Sequence, residues 1–193
     1  MNKIQAFLAL YERQGRKMRH KGRFDGAEEG VVLVAQWAGV SALFLPWAVF
    51  SALAEEGAFK VERMSPAAGG GLHLRPNKTN LKRALACHQG EFVELKLADV
   101  ASKEWKAEHA AWADGKDKRL WNLGWYAEFR LFQHFGLDWT MSRNRRSKGV
   151  ADIVLTDGDG NRHHWEVKDM IGAGFQIRPE RANELGLDEL CAD

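Results

Sequence analysis

Cysteine is scarce in this chain, and net charge is close to absent. The two cysteines, Cys87 and Cys191, lie far apart and in no metal-ligand spacing. That excludes a disulfide framework and points to a reducing, cytoplasmic setting. A formal net charge of +2 carries no nucleic-acid signature by itself. The first apolar stretch is short, lacks a small-residue cleavage site and runs into basic residues, so a cleavable signal peptide is not expected. No internal repeat or low-complexity tract is visible. One long segment, Val31 to Ala54, has no charged residue at all.

What is present fits a soluble globular chain. Its 193 residues are 45% hydrophobic and 28% charged, enough for one large domain or two small ones with a real core. Charge is clustered. Arg13, Arg16, Lys17, Arg19, Lys21 and Arg23 form one basic group, and Arg143, Arg145, Arg146 and Lys148 form another. Such groups attract polyanions, although a solvated surface is their ordinary role.

The N-terminal half reads as mainly helical. Residues 2–21 begin amphipathic and end basic, and Glu28-Glu29 suit the first turn of a further helix. The uncharged segment is long enough to span a bilayer. Gln36, Gly39, Ser41 and Pro46 divide it, however, and favour two short buried helices. AQWAGVS (Ala35–Ser41) resembles the turn of a helix-turn-helix, with Pro46 opening the next helix and Gly57 closing it. FKVERM and LHLRP then read as strands around a glycine-rich tip, which gives a winged helix-turn-helix. Asn80 to Ala86 suits a short helix and GEFVELKLADV a strand. The polar stretch 101–118 suits a boundary, so the expected domains are 1–115 and 116–193.

The C-terminal half changes character. LWNLGWYAEFRLFQHF carries Leu120, Leu123, Ala127, Leu131 and Phe135 at helical spacing, with Gly136 as a stop. Trp121 and Trp125 read as part of its packed face. WTMSRN, VADIVLTD and RHHWEVKDM read as strands, and RPERANELGLDEL as a last helix. Asp157-Gly158-Asp159-Gly160 forms a turn, so the second and third strands should pair antiparallel. Alternation then puts His164, Glu166 and Lys168 on one face and Trp165 and Val167 on the other. Asp152 can share the face of Glu166 and Lys168. His163 and His164, as adjacent strand residues, point oppositely and cannot easily hold one ion.

Two converging carboxylates repel, and a divalent cation is the usual remedy. Mg²⁺, or Mn²⁺ in its place, takes hard oxygen ligands and leaves room for phosphate oxygens. A lysine two residues along could hold a water or stabilise charge on a phosphate, which equips the face for metal-assisted phosphodiester hydrolysis. A cross-strand ion pair on a solvated sheet is the plain alternative.

Asp152, thirteen intervening residues and then Glu166-Val167-Lys168 resemble the PD-(D/E)xK nuclease superfamily, including restriction-endonuclease-like and Holliday-junction-resolvase-like proteins. The phrases GVADIVL and WEVK carry the likeness, and Glu128 in GWYAEFRLF matches a further acidic residue of the preceding helix. Ala151 stands where the family name has proline. The resemblance implies an α/β (α+β) fold whose core is a mixed sheet flanked by helices, in the order helix, three strands, helix, strand. Residues 120–190 supply the first five elements. The final strand is missing after the last helix, so it is either supplied by the N-terminal half or dispensable.

The resemblance implies a metal-dependent DNA endonuclease, with Asp152, Glu166 and the Val167 carbonyl holding Mg²⁺. Lys168 would orient the attacking water, with Glu128 assisting. Arg143, Arg145, Arg146 and Lys148 would contact phosphates of duplex or branched DNA, and a homodimer is the expected assembly. Two rivals differ in class: a non-catalytic DNA-binding regulator built on the winged segment, and a membrane-anchored protein held by residues 31–54.

Overall fold

The computed structural model describes residues 28–139, 152–156 and 159–191. The amphipathic segment 2–21, the first basic group, the second basic group of Arg143, Arg145, Arg146 and Lys148, and all of the stretch WTMSRN but Trp139 lie outside them. The architecture is mixed α/β, with two sheets and flanking helices.

The uncharged segment is not a helix pair. Residues Gly30–Trp37 (β1) and Gly39–Pro46 (β2) form an antiparallel hairpin, paired from Gly30 with Pro46 to Trp37 with Gly39. Val31, Val32, Leu33 and Val34 are all fully buried, as are Leu43 and Leu45. A strand covered on both faces needs apolar residues at every position, so it shows no alternation, and β-branched valines suit it. That is why the run lacks charge. Ala38 is the hairpin tip, and Gly39 follows at φ +95°, where a Cβ would stand 2.6 Å from the Ala98 carbonyl oxygen. Gln36 donates to the carbonyls of Gly39 (3.0 Å) and Val100 (3.3 Å), which ties this tip to the sheet edge.

The helix-turn-helix expectation therefore fails, and the winged reading with it, because AQWAGVS is the end of a hairpin, with Ala35–Trp37 in β1 and Gly39–Ser41 in β2. Glu28 and Glu29 enter β1 rather than open a helix. The helix expected after Pro46 does form: Trp47–Glu55 (α1), with Gly57 at φ +75° beyond its end. Among the described residues no helix is long and apolar enough to cross a membrane, and residues 31–54, the segment of the rival anchoring reading, form two strands and a short helix.

Phe59–Arg63 (β3) and Leu72–Pro76 (β4) pair antiparallel around the glycine-rich tip, as their sequences suggest. Lys78–Cys87 (α2) starts from Asn77, whose side chain accepts from the Asn80 amide. Val93–Ala98 (β5) adds to β2, and Ser102–Ala113 (α3) follows. Next come Leu123–Phe135 (α4), Ile153–Thr156 (β6), Arg162–Asp169 (β7), Phe175–Ile177 (β8) and Pro179–Glu184 (α5). Gly136, at φ +67°, ends α4 as expected.

The larger sheet has the order β5-β2-β1-β7-β6, and the smaller one β3-β4-β8. All neighbours in the larger sheet are antiparallel except β1 and β7, which run parallel with Val31 beside Glu166 and Leu33 beside Lys168. Strands from both sides of residue 115 thus share one sheet. The stretch 101–118 is not a bare linker either: it contains α3, whose Trp105 is fully buried.

Each face of the large sheet has its own core. Val31, Leu33, Leu43 and Leu45 pack against α1, α2, the smaller sheet and the α5 region. Val32, Phe44, Ile153, Leu155 and Trp165 pack against Leu131 and Phe132 of α4, while Val34 and Val40 meet Trp105 and Tyr126. Every such side chain contributes roughly 1.5–3 kcal/mol when fully buried. The result holds β7 inside the larger sheet, between β1 and the edge strand β6.

Candidate active site

The register of the β6–β7 hairpin sets the site. Ile153 faces Trp165, Val154 faces His164 and Leu155 faces His163. Ile153, Leu155 and Trp165 point into the α4 core, so Glu166 and Lys168 take the opposite face, as alternation requires. On that face Glu166 stands beside Val31 and Lys168 beside Leu33.

Asp152 precedes β6 and reaches across to β7. Its Oδ2 accepts a hydrogen bond from the Val167 amide at 2.8 Å. Burial pushes its carboxyl up from 3.8 to about 6, and the negative charges of Glu166 and Glu28 push the same way. The Val167 hydrogen bond and the Lys168 charge oppose this and only partly offset it. Lys168 Nζ lies 2.9 Å from Glu166 Oε1, and Glu166 is buried at 6% exposure. Two carboxylates and an ammonium thus share one half-buried neighbourhood at the end of a central strand.

A cleft of about 450 Å³ opens there. Asp152, Val167, Lys168 and Asp169 form its floor, and Asn122, Trp125 and Glu128 of the α4 entrance form one wall. His73 of β4 and Gly174 to Gln176 at β8 form the other. The structure therefore brings Glu128, Asp152, Val167 and Lys168 to one cavity. Glu166 is not among the lining residues and meets the cleft through Lys168. Arg143, Arg145, Arg146 and Lys148 are outside the described residues.

The α4 wall has a local cause. Asn122 caps the helix, its side chain accepting from the Gly124 amide at 2.8 Å, and Glu128 follows within the second turn. Asp169 ends β7 and accepts from the Ile171 and Gly172 amides at 3.0 and 3.2 Å, making the turn towards β8. Burial raises its carboxyl above the ordinary value, against those hydrogen bonds and the charges of Lys106 and His109. Gly174, at φ +112°, lets the chain pass close under β4: a Cβ there would sit 2.4 Å from the Leu74 carbonyl oxygen.

His73, Asp169 and Gln176 escaped the sequence reading. His73 and Gln176 are paired across β4 and β8, a contact between segments a hundred residues apart that no local pattern announces. Asp169 had a visible signal, an acidic residue directly after E-V-K. The two histidines behave as alternation requires: His163 is buried, with Nδ1 3.2 Å from both Glu29 carboxylate oxygens, and His164 lies on the other face. Two tryptophans depart from expectation. Trp121 is half exposed and Trp125 lines the cleft, so neither belongs to the core.

The donor set suits a hard cation. Among the described residues no three His, Cys, Asp or Glu side chains are grouped so as to hold an ion by themselves. Of the two carboxylates expected to hold a cation, Asp152 lines the cleft, whereas Glu166 does not and has its Oε1 engaged by Lys168. Mg²⁺ takes hard oxygen ligands and keeps several waters, so water or phosphate oxygens would have to supply most of its shell here. No protein-family model, curated protein or solved structure matches the chain.

Proposed function

We propose that this protein is a metal-dependent phosphodiesterase that cuts DNA at the cleft. The convergence of Glu128, Asp152 and Lys168 on one cavity, with Glu166 paired to Lys168, carries the reading. The resemblance to PD-(D/E)xK nucleases supports it. So does β1, which comes from the N-terminal half and lies parallel to β7, where it can stand in for the family's missing last strand.

When bound, Mg²⁺ or Mn²⁺ would neutralise the carboxylates and make a bound water more acidic. Asp152 and Glu166, with the Val167 carbonyl, are the residues to hold it. Lys168 offers a compact ammonium with three donors, suited to hold the attacking water or a non-bridging phosphate oxygen. Glu128, on the facing wall, orients water. Arg143, Arg145, Arg146 and Lys148, which precede β6 in sequence, would steady the DNA backbone.

One observation favours a second reading. Glu166 and Lys168 already pair at 2.9 Å, and Asp152 already accepts from Val167, so the three could serve only to fix the hairpin. Incubating the purified protein with plasmid, linear, branched and single-stranded DNA, in Mg²⁺, Mn²⁺ or chelator, separates the two. Cleavage in either metal and none in chelator is expected. Intact DNA on every substrate with both metals refutes the enzyme.

A further inference from the structure

A chain of ring contacts leads out of the cleft over α3 and α4. Trp125, on the cleft wall, has its ring 6.2 Å from that of Trp139. Trp139 lies 5.4 Å from Trp112, which stacks on Phe129 at 5.1 Å. Trp112 is 6.2 Å from His109, and His109 is 6.2 Å from Trp121.

Core packing accounts for the inner rings, since Trp105 and Tyr126 are buried. It does not account for Trp121. At 50% exposure this is the most exposed large hydrophobic side chain among the described residues. Trp112, Trp125, Phe129 and Trp139 are only partly buried. Cations accompany the rings. Lys116 Nζ sits 5.0 Å over the Trp112 ring, and the exposed Lys118 lies three residues before Trp121, next to Arg119, which is paired to Asp117 at 2.6 Å. The exposed Trp121 indole, with Lys118 beside it, is complementary to an unpaired base and its phosphate. A duplex, whose bases are already stacked on one another, offers that indole little.

We propose that this aromatic track binds unpaired bases of single-stranded DNA and feeds the strand to the cleft. The substrate class is then a single strand, or a duplex with a single-stranded arm. The feeding role rests on the phosphodiesterase reading, whereas the binding does not.

The test uses the full chain in chelator, with fluorescence anisotropy of a short oligo(dT), an oligo(rU) and a blunt duplex. The wild type should bind oligo(dT) more tightly than the duplex. Trp121→Ala should weaken oligo(dT) binding about tenfold, the loss of one stacked base, and leave duplex binding unchanged. Trp121→Phe should restore most of the loss. Trp121 is half exposed, so both variants should melt with the wild type. The more buried Trp125 is probed by Trp125→Phe, which keeps a ring and should keep most of the affinity.

Equal oligo(dT) binding by wild type and Trp121→Ala overturns the track, as does tighter binding of the blunt duplex. Tighter binding of oligo(rU) than of oligo(dT) overturns the assignment to DNA. The two proposals fail separately. Trp121-dependent binding with no cleavage in Mg²⁺ or Mn²⁺ removes the enzyme and keeps the track. Cleavage of single strands that is indifferent to Trp121→Ala does the reverse.

Discussion

Asp152→Asn should make the metal-free protein more stable, even though it removes a residue of the candidate active site. The buried Asp152 carboxyl is raised from 3.8 to about 6, so its ionised form is disfavoured in the folded state. The sign follows from proton counting. Between about pH 4 and pH 6 the folded chain holds a proton that the unfolded chain has released, so stability falls as pH rises through that window. Above it the full penalty is present. A change from 3.8 to about 6 corresponds to about 3 kcal/mol between the two protonation states, a ceiling because the group retains some contact with solvent. Asparagine keeps an oxygen for the Val167 amide and carries no charge, so most of that penalty is recovered. For a chain of this size each kcal/mol moves the midpoint by roughly 2–4 °C. The variant should therefore melt up to about 10 °C higher at pH 8, and level with the wild type at pH 4. Added Mg²⁺ should close the gap by stabilising the wild type alone. Thermal melts at both pH values, with and without Mg²⁺, make the measurement. A variant that melts lower than wild type at pH 8 refutes the electrostatic account, because Asp152 would then be stabilising as a charged acceptor.

Two further perturbations probe charges that do not line the cleft. Arg181 is buried 2.6 Å from Glu28 and 2.7 Å from Glu184, with its guanidinium 4.7 Å over the Trp47 ring. Arg181→Ala leaves Glu28 buried without that partner and should cost about 3–5 kcal/mol in urea unfolding, whereas Arg181→Met with Glu28→Gln should recover most of it. His88 bonds Glu56 at 2.8 Å and also Glu91, and those hydrogen bonds raise its pKa above 6.5. Its contribution should be full below pH 6.5 and fade as pH rises through the folded value. The wild type should therefore exceed His88→Ala by up to about 1 kcal/mol at pH 6 and by less at pH 9.

The legible parts of the sequence were those with a local signature. Glu166 and Lys168 could be placed on one face, opposite Trp165, because β7 alternates and pairs antiparallel with β6. Helix α4 was legible from its 3.6-residue spacing and Gly136. The β1–β2 hairpin was not, because strands buried on both faces lose their alternation and then resemble apolar helices, and Pro46 marked a real helix start just beyond them. The parallel pairing of β1 with β7 joins segments about 130 residues apart, so no local pattern encodes it. The same long-range closure hid His73 and Gln176, which reach the cleft only because β8 folds back on β4. The β6–β7 pairing and α4 were therefore open to reading, while the N-terminal strands and the far wall of the cleft were not.

Lys168 gives the most direct test of the central claim that the cleft performs chemistry. Its ammonium is the group proposed to act on the attacking water or on charge developing at the phosphate, and its side chain is 22% exposed beside Glu166. Single-turnover cleavage of a labelled DNA in Mg²⁺ should be measured for wild type, Lys168→Ala and Lys168→Arg, beside a melting curve for each. Lys168→Ala should bind DNA nearly as well and cut about a hundredfold more slowly or worse. Lys168→Arg should not rescue it, because a planar fork cannot replace a compact ammonium in a metal site. A Lys168→Ala protein that melts earlier yet cuts at the wild-type rate would contradict the account and leave Glu166 and Lys168 as an ion pair that only holds the sheet.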